Sequence, residues 1–259
     1  MGMAVFILGY SGQGKSASLR NFKADELALA NVNGKPMPFR TRFNDTISTD
    51  DVDKIINFIS ATKCKTIAVD DTQYIMANEY MRRAKEKGYE KFTDIGQKMW
   101  KLIKSVEDIA PDKVVFFLSH IDTDDNGREK FKTVGKLLDE KINPEGMVSV
   151  VLKALSTDGK YMFATQTNGN DTCKSPIGLF DTMYIDNDAK YVDSAIRSYY
   201  GLVEAEKCEE CGNDILASKG RTAETIIVKS TELFGRKLCW SCCVKHGKEA
   251  KNAAKTVSE

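Results

Sequence analysis

The feature that most constrains the fold is a glycine-rich loop near the N-terminus. The apolar run Ala4–Leu8 leads into the segment Gly9–Ser16, whose last three residues are Gly-Lys-Ser. This is the G-x-x-x-x-G-K-[ST] pattern of a phosphate-binding loop. A helix-like run, 17–22, follows it, so the pattern lies between a predicted strand and a predicted helix. That setting favours a phosphate site over a chance glycine-rich turn.

Each residue type in this loop has a physical role. The glycines let the backbone turn tightly and bring several N–H groups close to phosphate oxygens, and a helix starting near Gly14 directs its positive dipole end at the same anion. Lys15 is predicted to reach the β- and γ-phosphates, and the Ser16 hydroxyl to bind Mg²⁺. The predicted nucleotide contacts are Gly9, Ser11, Gly12, Gln13, Gly14, Lys15, Ser16 and Ala17.

A second apolar strand ends in two carboxylates, Asp70 and Asp71, after the run that begins at Thr66. A strand of this kind after a phosphate loop completes a nucleotide site, with Asp70 holding Mg²⁺, commonly through water. The role of Asp71 is open from the sequence. It either activates the attacking water, as a catalytic residue, or caps the turn into the next helix.

A third strand is predicted at Val114–Leu118, and it ends in Ser119 and His120. Polar side chains at the carboxyl ends of central parallel strands face the ligand crevice of open α/β sheets. His120 is therefore interpreted as a sensor of the γ-phosphate, and the alternative is a hydrogen-bonded histidine at a strand end. Strands alternate with helices up to about residue 120 and a β-rich stretch follows, which predicts a mostly parallel sheet with an antiparallel edge.

Between these strands the periodicity predicts helices. Apolar residues of 52–59 fall on one helical face, and 74–109 is helical with a break near Gly88. The polar segment Asp122–Lys132 is predicted to be mobile or a hairpin. Two further strands with a turn at Asp158-Gly159 follow it.

Five of the seven cysteines cluster near the C-terminus. Cys208 and Cys211 form one C-x-x-C pair and Cys239 and Cys242 another, with Thr225–Val228 between the pairs as a predicted strand. Two such pairs can hold one tetrahedral ion, which indicates a structural Cys₄ zinc ribbon without catalytic activity. Cys243 and His246 are the alternative ligands, and the C-x-x-C spacing favours Cys242 over Cys243.

The net charge of the 259 residues is +1, so no dominant field for nucleic acid is expected. No run is apolar enough to span a membrane and no signal peptide is evident, which together predict a cytoplasmic protein. The segment 236–255 holds six basic residues and one acidic residue. This basic tail is interpreted either as a solvated helix end or as a nucleic-acid contact.

Four motifs in order carry a resemblance to a known family. They are the loop 9–21, Ala-Val-Asp-Asp at 68–71, Phe-Leu-Ser-His at 117–120 and the segment 132–141. Over roughly residues 3–200 the chain resembles the phage-encoded AAA-type ATPases with a minimal RecA-like core, which are regarded as single-strand annealing or recombination proteins.

The resemblance implies a RecA-like P-loop fold that binds and hydrolyses ATP with Mg²⁺, forms homo-oligomers and takes single-stranded DNA as its partner. By that likeness Asp70 matches the metal-binding carboxylate, His120 the sensor position, and Asp122–Lys132 the DNA-contacting loop. A phage protein of this kind would act in the cytoplasm of the bacterial host. The chain departs from full-length recombinases because it lacks a clear catalytic glutamate before Asp70 and because aspartates lie in the candidate DNA loop.

The sequence therefore predicts a RecA-like ATPase core at 1–201 and a zinc ribbon with a basic tail at 202–259. The first functional hypothesis is an ATPase that acts on single-stranded DNA in recombination or annealing, with slow hydrolysis. The second is a nucleotide-gated interaction module that recruits replication or recombination proteins through the zinc ribbon. A small-molecule kinase is disfavoured because no lid segment with clustered arginines is evident.

Overall fold

The fold is built on one large β-sheet. The computed structural model describes residues 2–135, 141–202 and 205–256. The sheet contains eight strands, which in chain order are β1 (Met3–Leu8), β2 (Leu27–Asn31), β3 (Asp45–Ile47), β4 (Thr66–Asp70), β5 (Val114–Ser119), β8 (Val150–Thr157), β9 (Lys160–Ala164) and β10 (Tyr184–Asp186). Two short strands, β6 (Ile121–Thr123) and β7 (Glu129–Phe131), form a separate hairpin.

Six neighbouring strands of the sheet are parallel. The spatial order is β10-β9-β8-β1-β5-β4-β2-β3, and every pair from β8 to β3 is parallel. The pairs β8–β9 and β9–β10 are antiparallel and form one edge. The predicted mostly parallel sheet with an antiparallel edge is confirmed, and the hairpin alternative for 122–132 agrees with β6 and β7.

The central strands are buried because they are apolar throughout. All residues of β2, β4 and β5 are buried, as is typical of strands covered on both faces. In the core they share with the helices, the Phe6 ring lies 5.8 Å from the Phe117 ring and 5.2 Å from the Phe131 ring, measured between centroids.

The predicted helices of this region are present as α1 (Val52–Ala61), α2 (Gln73–Arg82) and α3 (Glu90–Ile109). The Asp51 side chain caps α1 by accepting the N–H groups of residues 53 and 54. The apolar stripe of α3 is buried over its whole length, from Ile95 to Val106. Helix α2 begins three residues after β4, and its Gln73 side chain accepts the backbone N–H of His120, which follows β5.

The chain divides into two compact units. One covers the chain up to Ile177 together with Thr182–Ala189, and the other covers Gly178–Asp181 together with the chain from Lys190 onward. Most of helix α4 (Ala189–Tyr199) belongs to the second unit.

The second unit also contains α5 (Ala223–Phe234) and α6 (Trp240–Thr256). The predicted ribbon strand at Thr225–Val228 is wrong, because these residues lie in α5. The Thr222 side chain caps the helix and Gly235, at φ 69°, ends it. The β-branched run resembled a strand, but its buried residues, Ile226 and Ser230, are four apart as on one helical face.

Within the described ranges, no helix combines the length and the apolar character that crossing a bilayer requires.

The Lys113 ammonium ties the end of α1 to the start of β5. It donates to the carbonyl oxygens of Ile59 at 2.7 Å, Ser60 at 3.2 Å and Thr62 at 2.7 Å, which are orphan acceptors at a helix C-terminus.

We expect Lys113→Met to lower the free energy of unfolding by about 1–3 kcal/mol, because buried carbonyl groups lose their donor. Urea denaturation measures the change. The control Lys63→Met, at an exposed lysine nearby, should change stability by less than about 0.5 kcal/mol.

Candidate nucleotide site and metal centre

The predicted nucleotide residues meet at one edge of the sheet. Strands β1, β5 and β4 are adjacent and parallel, so the loop after β1, the carboxylates after β4 and His120 after β5 come together. They line an open cleft of about 460 Å³. Its lining residues are Ser11, Gly12, Gly14, Lys15, Ser16, Ala17, Lys35, Pro36, Pro38, Asp70, Asp71, His120 and Tyr161.

Lys15 lies folded back on its own loop. Its ammonium donates to the carbonyl oxygens of Gly9 at 2.8 Å and Tyr10 at 2.9 Å. Burial lowers the pKa of Lys15 to about 8, and the charges of Asp70 and Asp71 act in the opposite direction. The lysine is thus a buried cation held by neutral carbonyl groups, an arrangement that an anionic ligand would improve.

Ser16 and Asp70 contact each other across the cleft. The Ser16 hydroxyl lies 2.9 Å from Oδ1 and 2.8 Å from Oδ2 of Asp70, and it donates to this carboxylate. Burial raises the pKa of Asp70 to about 6, although the Ser16 hydrogen bond lowers it. These oxygens are the hard ligands that Mg²⁺ prefers, so the predicted pair can bind that ion.

Asp71 is the most heavily hydrogen-bonded carboxylate of the cleft. Its Oδ2 accepts from Asn33 Nδ2 at 2.9 Å and from Lys35 Nζ at 2.8 Å, and its Oδ1 lies 3.8 Å from His120 Nε2. Burial by itself raises the pKa of Asp71, but the interactions with His120, Lys35 and Asn33 outweigh it and hold the pKa well below its usual range. The backbone there is left-handed, with φ 59°, and Tyr74 N–H donates to the Asp71 carbonyl. The backbone of Asp71 therefore forms the turn after β4, and its carboxylate lines the cleft.

His120 follows β5 and lines the cleft beside Asp71. Its backbone N–H donates to Gln73 Oε1 at 2.9 Å, and its ring meets Tyr74 edge-on at 6.2 Å between centroids. His120 is thus hydrogen-bonded at a strand end, which agrees with a purely structural role. It also lines the cleft, which the proposed role as a γ-phosphate sensor requires.

The loop itself is held in shape by Gln13 and by its glycines. Gln13 Oε1 accepts the Tyr10 N–H at 2.8 Å. Gly14, at φ 86°, lies so close to the Tyr161 ring that a Cβ there would be 2.7 Å from the ring carbon Cδ1. The segment after the loop, Ser16–Asn21, is a 3₁₀ helix of six residues, so the helix predicted over 17–22 is present at almost the same place but is more tightly wound than an α-helix.

Three residues in or beside the cleft were not predicted from the sequence. Asn33 and Lys35 follow β2 and reach the cleft only because β2 lies beside β4. Tyr161 comes from β9, far along the chain. None of these belongs to a spaced motif, and only the strand order brings them to the loop. Within the fourth motif of the resemblance, 132–141, residues 136–140 lie outside the described residues.

A larger cleft, about 630 Å³, lies among α1, α2 and α3. It is lined by ion pairs such as Arg82 with Asp50 and Lys98 with Glu79. The described residues of the four sequence motifs do not line this cleft, and the carboxyl ends of β1, β4 and β5 open into the smaller one. The smaller cleft is therefore the candidate site.

The four predicted cysteines form one cluster in the second unit. The Sγ atoms of Cys208, Cys211, Cys239 and Cys242 all lie within 4.8 Å of one another. Gly212, at φ 73°, donates its N–H to the Cys208 carbonyl and closes the first turn. The second pair stands at the start of α6.

This geometry fits a tetrahedral metal ion such as zinc. Zn–S bonds of about 2.3 Å place tetrahedral sulfur atoms about 3.8 Å apart, and Cys211 Sγ and Cys239 Sγ are separated by 3.7 Å. Burial would raise the pKa of Cys208, but backbone N–H donors of Cys211, Cys239 and Glu210 outweigh it and lower the pKa to about 6, whereas burial and the neighbouring thiols raise the pKa of Cys242. Thiolate is the form that binds zinc.

The alternative ligands lie outside the cluster. The Cys243 thiol donates to the Leu238 carbonyl at 3.7 Å. His246 Nε2 contacts Glu210 and Arg236. Of the two neighbouring cysteines, Cys242 belongs to the four-cysteine cluster and Cys243 does not. A β-ribbon does not surround the cluster in the described residues, where one pair lies in a turn and the other begins a helix.

The chain matches no protein-family model and no curated protein sequence.

The burial of Asp70 predicts a pH-dependent stability difference. Its raised pKa means that the folded protein holds a costly charge above about pH 6, and this cost disappears as the pH falls from 6 toward 4. At pH 8 we expect the free energy of unfolding of Asp70→Asn to exceed that of the original protein by about 1–3 kcal/mol, because the neutral amide avoids the cost of the buried charge. The gap should narrow below pH 6 and close near pH 4, where the carboxyl group is protonated in the folded protein and largely protonated in the unfolded chain. Denaturant unfolding with a chelator present and no nucleotide measures both, and a gap that is constant with pH would contradict the assignment.

The cysteine cluster predicts one bound zinc per chain. Cys242→Ser should lose that zinc and much of the thermal stability of the second unit, because the shared core there contains only a few buried side chains. Cys243→Ser is the matched control and should retain the metal. Elemental analysis of purified protein and thermal melting with and without a strong chelator make the test. Equal zinc content in both variants would contradict the ligand set.

Proposed function

We propose that this protein is a Mg²⁺-dependent P-loop ATPase with a RecA-like core that acts on single-stranded DNA in recombination or annealing. The observation that carries the proposal is the convergence of Lys15, Ser16 and Asp70 at one cleft. A buried lysine supplies the charge for the β- and γ-phosphates, and the serine and aspartate supply oxygen ligands for the ion.

Slow hydrolysis is part of the proposal. The loop after β2 carries Asn33 and Lys35 at the cleft rather than a carboxylate. Asp71 is the only acidic side chain of the described cleft besides Asp70, and it is already occupied by three partners. An attacking water must compete with these partners for Asp71, which slows the reaction.

A hydrogen bond between the phosphate loop and the candidate DNA loop supports hydrolysis that depends on DNA. The Tyr10 hydroxyl and Thr123 Oγ1, in the hairpin β6–β7, are 2.9 Å apart and share a hydrogen bond. The Tyr10 carbonyl accepts from Lys15. If a bound phosphate draws the Lys15 ammonium away from the Tyr10 carbonyl, Tyr10 loses a hydrogen bond, and this residue is the one that contacts the hairpin. Homo-oligomers with ATP near a subunit interface belong to the same proposal.

The exposed aspartates of this hairpin favour a second candidate function. Asp122 and Asp125 are exposed near its tip and would repel DNA phosphates. Arg236 and Lys245 of the basic tail pair with Glu210, which reduces the charge available to nucleic acid. A nucleotide-gated module that recruits replication or recombination proteins through the zinc-binding unit accounts for both features.

ATP hydrolysis with and without single-stranded DNA distinguishes the two functions. We expect DNA to stimulate hydrolysis, and Lys15→Ala to reduce the stimulated rate by about 10²–10³-fold because the phosphate charge loses its buried cation. Hydrolysis that is indifferent to DNA would favour the interaction module. The variant Lys63→Ala, at an exposed lysine outside the cleft, is the control.

A further inference from the structure

Lys35 stands at the mouth of the cleft on the loop that follows β2. Its ammonium lies 2.8 Å from Asp71 Oδ2 and 5.1 Å from the centre of the Tyr74 ring. The adjacent Asn33 binds the same carboxylate oxygen. Two side chains of one loop therefore depend on a single carboxylate.

The contact that holds Lys35 is open to solvent at the lysine end only. The lysine side chain is 61% exposed, whereas the Asp71 side chain is 11% exposed, and Asp71 is the only charged partner of Lys35 within 4 Å in the described residues. Solvent screens the exposed ammonium, which weakens its attraction to the carboxylate. If the lysine leaves, Asp71 keeps Asn33 and His120 beside it, so a stronger anion can compete for Lys35.

Lys35 also shares its cleft with Lys15. Both line the same space, together with Ser16 and Asp70. The pKa of Lys15 is lowered mainly by burial, and the charge of Lys35 lowers it further. Two cations that face one cleft and repel each other are both stabilised by an anion between them.

We propose that Lys35 is a second phosphate-binding cation, held on Asp71 without nucleotide and transferred to the γ-phosphate when ATP binds. The inference rests on the proposed nucleotide function and adds to it a residue that distinguishes ATP from ADP. A γ-phosphate carries more charge than one carboxylate, so the exchange of partners is favourable with ATP. With ADP there is no γ-phosphate, and Lys35 stays on Asp71.

The test is the affinity of the full chain for two ligands, MgADP and Mg²⁺ with the β,γ-imido analogue of ATP. In Lys35→Met we expect the affinity for the ATP analogue to fall about tenfold and the affinity for MgADP to change less than about twofold, as loss of one charge-assisted hydrogen bond predicts. Lys35→Arg should stay close to the original protein. Lys54→Met, at an exposed lysine of α1 outside the cleft, is the matched control.

A second variant tests the exchange itself. Asp71→Asn removes the competing anion, so the preference for the ATP analogue over MgADP should rise. The same substitution in a Lys35→Met background should leave that preference unchanged, because no cation remains to be released. The preference is the ratio of the affinity for the ATP analogue to the affinity for MgADP. Because the lost negative charge is the same in both backgrounds, its general effect on anion binding cancels when the two changes in preference are compared.

Two results would overturn the inference. One is an equal loss of affinity for both ligands in Lys35→Met, and the other is no loss for either. In both cases Lys15→Ala tells whether the nucleotide site itself exists. If Lys15→Ala abolishes binding, the proposed function stands and only the role of Lys35 fails. If Lys15→Ala binds both ligands normally, the proposed function fails as well.

Discussion

The structure depends on the burial of three charged side chains at one edge of the sheet. Lys15, Asp70 and Asp71 are each less than a tenth exposed, although they stand at the end of apolar strands. Charge at such a position is costly unless hydrogen bonds surround it. The fold provides them through loop carbonyls for the lysine, the Ser16 hydroxyl for one carboxylate and the loop after β2 for the other.

The mostly parallel sheet of the first unit and its antiparallel edge could be predicted from the sequence because their signals are local. Continuous apolar runs predicted β1, β4 and β5, which are buried on both faces. Apolar residues repeating with the period of an α-helix predicted α3, which is buried on one face. The principal residues of the cleft followed from the spacing around Lys15 and from the ends of the strands. A parallel sheet then brings these ends together without further information.

What escaped prediction depends on long-range placement or on competing local preferences. The positions of Asn33 and Lys35 follow from the pairing of β2 with β4, and no pattern in the chain encodes a contact between residues 35 and 71. The predicted strand at Thr225–Val228 failed for another reason. Its β-branched side chains favour a strand, but the cap residues Thr222 and Gly235 at either end define a helix, and the caps prevail here.

The hydrogen bond between Tyr10 and Thr123 has an evolutionary consequence. It joins a residue of the phosphate loop to one in the hairpin, more than a hundred positions away. Neither side chain needs the other for burial, since both are exposed. Their identities are constrained as a pair rather than singly. Among related chains, replacement of the tyrosine by phenylalanine should accompany loss of the hydroxyl at 123, so that the two positions vary together.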